Sequence, residues 1–185
     1  MDTEDVRLAV YRSFAETGRA PESGLLADGA LRELHEQRHV VLDRDGRIAM
    51  AHPFAAVPLG FSVMGRETLW WGGCAWDSFA LPHLLPDEPV VLVATRCPGC
   101  GAALAWVVDR DAPPAGDQVA HFLTPAARMW EDVVHTCGHQ RLFCGEELAQ
   151  SWYAGRLDRG YRRREPAEAK EYFHSVGLRG PFWGL

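Results

Sequence analysis

The stretch from Trp70 to Leu85 restricts this chain more than any other. Its second part, Ala75 to about Leu84, is apolar nearly all round and is stopped by Pro86, so a helix there has no face to offer water and must be buried. The remaining elements have to wrap around it. Ahead of it lie the alternating runs Phe61–Met64 and Thr68–Trp71 around a Gly65-Arg66 turn. Behind it lie the valine-rich Pro89–Thr95 and its partner Ala102–Val108, joined across Cys97-Pro98-Gly99-Cys100-Gly101. Two hairpins flanking a buried helix predict an α+β arrangement.

Where that helix opens, Cys74 precedes Asp77 by three residues. Positions i and i+3 share a helix face, so thiol and carboxylate can address one small volume. The helix N-terminus there favours the thiolate, the nucleophilic and metal-binding form. A buried structural cysteine followed by a first-turn aspartate fits this stretch equally well.

Upstream, Val6, Val10 and Phe14 recur at helical intervals over residues 4–18, with Gly18 as the stop. Pro21 opens a short second segment, and Asp28 is placed to cap a third helix through Leu31, Leu34 and His35. A hairpin of Val40–Leu42 and Arg47–Met50 turns at Asp43-Arg44-Asp45-Gly46. Three helices and a hairpin outline a winged-helix-like N-terminal domain, residues 1–58. A mixed or antiparallel sheet domain with flanking helices, residues 59–185, follows Ala51–Pro58, which reads as a connector. The outline raises DNA binding, but Arg32 and Arg38 share their helix with Glu33 and Glu36, and the chain carries a formal charge of -6 with a pI near 5.7. Phosphate binding needs clustered cations, so nucleic acid is not an expected partner.

Farther on, Asp109–Gly116 is a loop, Val119–Leu123 a strand and Pro125–Trp130 a helical turn. Val133–His135 reads as a strand delivering Cys137, and Glu146–Ala154 as a helix. A basic loop (Arg156, Arg159, Arg162, Arg163, Arg164) leads to a last helix from Pro166 to about Val176.

Five cysteines, at 74, 97, 100, 137 and 144, are an odd number. The N-terminus Met1-Asp2-Thr3-Glu4-Asp5 is acidic where a signal peptide is basic, and no apolar run nears the ~20 residues of a membrane span. The expected compartment is the cytoplasm, with no membrane partner and with thiols reduced and free for metals or chemistry. Cys97-Pro98-Gly99-Cys100-Gly101 has the form of half a zinc knuckle. The other half would come from Cys137, His139 or Cys144, at spacings poor for a zinc ribbon. Structural zinc, a secondary thiol site and two thiols that merely pack all remain open for Cys97 and Cys100. Cys137, beside Gly138 and two residues before His139, reads as an accessible thiol. Together with Cys74 and Asp77 it makes two thiols and one carboxylate, a set suited to a soft, thiophilic metal.

The ordered set Cys74, Ala75 and Asp77, then Cys97 after the strand, then Cys137, His139, Phe143 and Trp152 resembles the organomercurial (alkylmercury) lyases over roughly residues 60–155. That resemblance implies mercury-binding thiols at Cys74 and Cys137, and Asp77 as the carboxylate that takes a thiol proton and returns one to the leaving carbon. The products would be a hydrocarbon and Hg(II), the latter passed to small thiols or to an acceptor protein, with no organic cofactor. Trp70, Trp71, Trp76 and Phe79 would wall the pocket, unless they are plain core. Cys100 and Cys144 are extra thiols relative to the family pattern, and the N-terminal part is short. Two other readings are a non-catalytic protein holding zinc or a soft metal at the same cysteines, and a winged-helix metal-responsive regulator. Asp77 separates lyase from carrier, since a pure binding site needs no proton donor.

Overall fold

The computed structural model describes residues 2–22, 26–112, 116, 118–121, 126–153 and 163–164. Helix α1 (Thr3–Thr17) starts from a capping box in which Asp2 and Asp5 exchange backbone and side-chain hydrogen bonds, satisfying amides that a helix start leaves orphaned. It ends at Gly18 in the left-handed region, φ 72°. A side chain at Gly18 would overlap the Leu69 carbonyl, so glycine is required there both for φ and for space. The buried stripe Val6, Val10, Tyr11 and Phe14 faces the core. Trp70 locks the helix down by donating its indole N–H to the Phe14 carbonyl at 2.8 Å.

Helix α2 (Asp28–Glu36) follows. Its cap position is Ala27, with no side-chain cap hydrogen bond, so Asp28 is the first helical residue and not the expected cap. Among the described residues two helices precede the first hairpin, where three were expected; residues 23–25 of the segment opened by Pro21 lie outside them.

Strands β1 (Val41–Leu42) and β2 (Ile48–Ala51) form the expected hairpin around the Asp43–Gly46 turn. They continue through β3 (Phe54–Ala55) into the hairpin of β4 (Phe61–Met64) and β5 (Leu69–Gly72), then into β6 (Val90–Arg96) and β7 (Ala103–Asp109). The result is one seven-stranded antiparallel sheet of order β1-β2-β3-β5-β4-β6-β7.

Helix α3 (Ala75–Leu84) has all ten residues buried and packs on β4, β5, β6 and β7. The strands answer it by alternation: Val91 and Val93 of β6 are buried, while Val90 and Leu92 point away from the core and are exposed. Arg110 closes the far end of α3 by donating to the carbonyls of Pro82, Leu85 and Pro86 at 2.7–3.1 Å, where a helix end presents unpaired acceptors and partial negative charge.

A second sheet, of order β10-β8-β9, joins β8 (Val119–His121), β9 (Arg141–Phe143) and β10 (Arg163–Arg164). Two residues expected in a basic loop are therefore a short strand. The remaining expected loop and the helix from Pro166 lie outside the described residues. Between β8 and β9 come a 3-10 segment (Ala126–Glu131) and α4 (Val133–Gly138); α5 (Glu146–Tyr153) follows β9. The expected strand over Val133–His135 is thus a helix. Two adjacent valines favour a strand locally, but the Asp132 carboxylate accepts the His135 amide at 3.0 Å and the Thr136 hydroxyl donates to the Asp132 carbonyl at 2.8 Å, and this cap starts a helix.

Candidate functional site

The site is built where α3 begins. Cys74 is its N-cap residue, with extended backbone, and its sulfur accepts the Asp77 amide at 3.5 Å. A thiol thus fills the position usually held by Ser, Thr or Asp. The Ser78 hydroxyl donates to the Cys74 carbonyl at 2.7 Å and ties the first turn. Cys74 and Asp77 are nearly fully buried, as the apolar character of α3 requires.

Two straps bring the other components to this helix start. The Ala75 amide donates to the Gln140 carbonyl at 3.3 Å, docking the end of α4 on α3. Cys137, on the last turn of α4, is completely buried, with its thiol 3.9 Å from Asp77 Oδ2. It is a core thiol, contrary to the accessible one expected, because helix α4 turns it inward where a strand end would have left it at an edge. The second strap runs from the Gly73 amide to the Pro53 carbonyl at 3.0 Å. It sets His52 beside Asp77, Nδ1 to Oδ2 3.2 Å. A side chain on Gly73 would overlap the same carboxylate oxygen and crowd Met50 Cε, so the approach needs glycine.

The electrostatics follow from burial. Burial pushes the Cys74 thiol well above the ordinary cysteine range, a hydrogen bond with Cys137 and the Asp77 charge add to this, and the Asp77 amide opposes it only in part. The thiolate expected from the helix N-terminus is therefore overruled by desolvation. Burial pulls the His52 imidazole down, but the Asp77 charge, its hydrogen bond and the Cys137 sulfur outweigh that and hold it at about 9. A cationic imidazolium beside the carboxylate at neutral pH is the consequence. His52, Asp77 and Cys137 offer ligand atoms all within 4.8 Å of one another.

His52 lies in the segment that reads as a connector. Its sequence signal is weak, a single histidine before a proline with no spacing to another ligand. Trp130 stands edge-on to the His52 ring, centroids 5.5 Å apart, and carries the Arg38 guanidinium on its face at 5.6 Å. Trp130 and Val133 also border a cleft of about 350 Å³ between α2–β1 and the start of α4.

The aromatic residues expected to wall the site divide. Trp70 belongs to the α1 anchor, Trp71 is 36% exposed, and Phe79 packs edge-on against Trp106 at 5.3 Å. Trp76, next to Cys74 and Ala75 on α3, is buried. The side chain of Trp152 lies outside the described residues.

The other three cysteines form a second cluster, their sulfurs within 4.8 Å of one another. Cys97 is buried, whereas Cys100 and Cys144 are exposed and 3.7 Å apart, sulfur to sulfur. Burial pushes the Cys97 thiol up, but the amides of Cys144, Cys100 and Gly99 and the Cys100 thiol donate to it and bring it below its ordinary value. The third sulfur beside Cys97 and Cys100 is thus that of Cys144; neither Cys137 nor His139 is in this group.

The family model for alkylmercury lyase (MerB) matches residues 54–174, well over half of the chain. Among solved structures, the mercury-bound form of MerB2 superposes with a TM-score of 0.69 at 16% sequence identity, covering 93% of this chain and 88% of that one. At that identity the likeness speaks for the fold. No match was found among curated proteins.

Proposed function

This chain belongs to the alkylmercury lyase family and is an organomercurial lyase, and we propose that Cys74, Cys137 and Asp77 carry out the carbon–mercury cleavage. One observation carries the assignment. A single carboxylate residue touches both thiols, through Oδ2 to Cys137 at 3.9 Å and through its own amide to Cys74 at 3.5 Å.

Burial holds the Cys74 thiol in its neutral form in the resting site, and forming two mercury–sulfur bonds releases thiol protons, so mercury binding needs a local base. Asp77 takes the Cys137 proton as that sulfur bonds to the metal of R–Hg–X. Cys74 joins as second sulfur, and its proton leaves with the counter-ligand X. Two thiolates donating into mercury make the attached carbon basic. Asp77 then returns its proton to that carbon, and the carbon–mercury electron pair becomes the new C–H bond. The sum is R–Hg–X and two thiols giving R–H, HX and a mercury bis-thiolate. Positioned proton transfer of this kind contributes about 10²–10⁴-fold. His52 is a positioning residue, its cationic ring orienting the Asp77 carboxylate. No organic cofactor enters these steps.

The cleft beside Trp130 supports an approach for the organic group from the α2–α4 side. Release of Hg(II) to small thiols or to an acceptor protein, and a cytoplasmic location, belong to the same reading. So does a boundary near residue 58 between a winged-helix-like part and a catalytic part: two helices and a hairpin precede it, and the large sheet runs across it, so the two parts share one core.

The test is incubation of the purified chain with methylmercury or phenylmercury and excess thiol, with methane or benzene release measured. Release by the native chain and background levels for Cys74→Ser, Asp77→Ala and Cys137→Ser are expected. Turnover persisting in Cys137→Ser would overturn the site assignment.

A further inference from the structure

We propose that Cys97, Cys100 and Cys144 form a second metal site, separate from the lyase centre, that holds a zinc-type divalent cation on three thiolates with its fourth position open to solvent. One edge of the cluster already has the length a tetrahedral site requires, and the third sulfur stands close to both ends of it. A zinc–sulfur bond of about 2.3 Å sets a tetrahedral sulfur–sulfur edge of about 3.8 Å, and Cys100 and Cys144 stand 3.7 Å apart. The third sulfur, of Cys97, lies within 4.8 Å of both.

The backbone is arranged for the same purpose. The turn is closed by the Gly101 amide to the Cys97 carbonyl at 2.8 Å and the Cys97 amide to the Ala102 carbonyl at 2.9 Å, with Gly101 at φ 76°. That shape turns the amides of Gly99 and Cys100 toward the Cys97 sulfur, and the Cys144 amide joins them from the other strand. Amides aimed at sulfur disperse the charge of a metal-bound thiolate. Cys97 packs with Val119, Phe143 and Ala149 on the inner side, while Cys100 and Cys144 face outward, which gives an ion a way in.

Two elements from different sheets meet at this cluster: the β6–β7 turn of the large sheet and the end of β9 in the small one. Cys144 follows Cys137 by seven residues. An ion here clips the segment that carries Cys137 onto the main sheet, and its binding energy adds to the stability of that junction. Each thiol gives up its proton on binding, so retention weakens in acid.

The experiment uses the full chain purified in reducing buffer, loaded with zinc alone and desalted, with zinc measured by mass spectrometry. One zinc per chain is expected. It should persist in the Cys74→Ser, Cys137→Ser double variant and fall at least tenfold in Cys100→Ser and in Cys144→Ser, while hydrocarbon release by those last two stays within a few-fold of native. Co(II) loading should give the visible spectrum of a tetrahedral thiolate complex, and a chelator should lower the unfolding midpoint of the native chain but not of Cys100→Ser. Zinc lost with the active-site cysteines, a native chain without zinc or a thiolate–cobalt spectrum, or a Cys100–Cys144 disulfide in the reduced protein would each overturn the proposal. None of these results bears on the lyase assignment, whose readout is hydrocarbon release.

Discussion

The molecule carries two sulfur clusters of similar size and opposite design. At the head of α3, Cys74 and Cys137 are buried with a carboxylate and an imidazole and without a knuckle of backbone amides. At the β6–β7 turn, three sulfurs are gathered by amides, two of them open to solvent, with no carboxylate in the group. On the roles proposed for them, the difference is that between breaking a bond and holding an ion. A bond-breaking centre must store and deliver a proton away from water, whereas a holding site needs only charge dispersal and access.

The hardest blow to that comparison is to remove the proposed proton carrier from one cluster and a thiol from the other. Asp77→Asn should lower hydrocarbon release by about 10²–10⁴-fold while Hg(II) still binds to Cys74 and Cys137, and Cys144→Ser should leave release nearly native. Single-turnover assays with phenylmercury give both values. Equal losses in the two variants would erase the division of labour.

A smaller effect comes from geometry alone. Gly73→Ala keeps every functional group but places a methyl where the Asp77 carboxylate oxygen sits, and a displacement of about 1 Å can cost about 10²-fold. Release should fall by that order with mercury binding retained. The far cluster should bind zinc as before; native turnover in Gly73→Ala would mean the carboxylate position is not critical.

Legibility in the sequence differed in the same way between the two clusters. The α3 helix, both central hairpins and the pairing of Cys74 with Asp77 could be read because periodicity and i, i+3 spacing are local. The partners that complete each cluster come from far along the chain and obey no short spacing. Cys137 joins Cys74 through donor chemistry and family resemblance and through no local spacing, and its burial is not legible because Val133-Val134 suggests a strand while the Asp132 cap makes a helix. Cys144 as partner of the knuckle and His52 as partner of Asp77 depend on sheet pairing and on the strap from Gly73 to Pro53. No pattern in a single sequence encodes those contacts.

His52 tests whether the buried cluster needs its imidazole or only tolerates it. Outer groups that orient a reacting ligand are commonly worth about 10–100-fold, so His52→Gln should lower the turnover rate by that order with little change in KM. The same loss in Asp77→Asn and in the double variant would show that His52 works through the carboxylate. An independent effect of full size in the Asp77→Asn background would assign it another role.

The smallest expected effect is on stability, and its sign follows from the raised imidazole. His52 titrates at about 9 in the folded chain against an ordinary 6.5, so the folded state binds the proton more tightly. The stabilisation is complete below pH 6.5 and is lost as pH rises through about 9. A displacement of that size has an upper bound of about 3 kcal/mol, and because the ring is 18% exposed and partly screened, about 1 kcal/mol is expected. Cys74, held protonated by burial, acts in the same direction only at higher pH, once the unfolded thiol begins to ionise. Denaturant midpoints of the native chain should therefore decline between pH 6.5 and 9, and those of His52→Gln should stay flat over that window before both fall together. Parallel curves across the whole range would show that the imidazole and the carboxylate are not coupled, and the buried cluster would then differ from the exposed one by its aspartate alone.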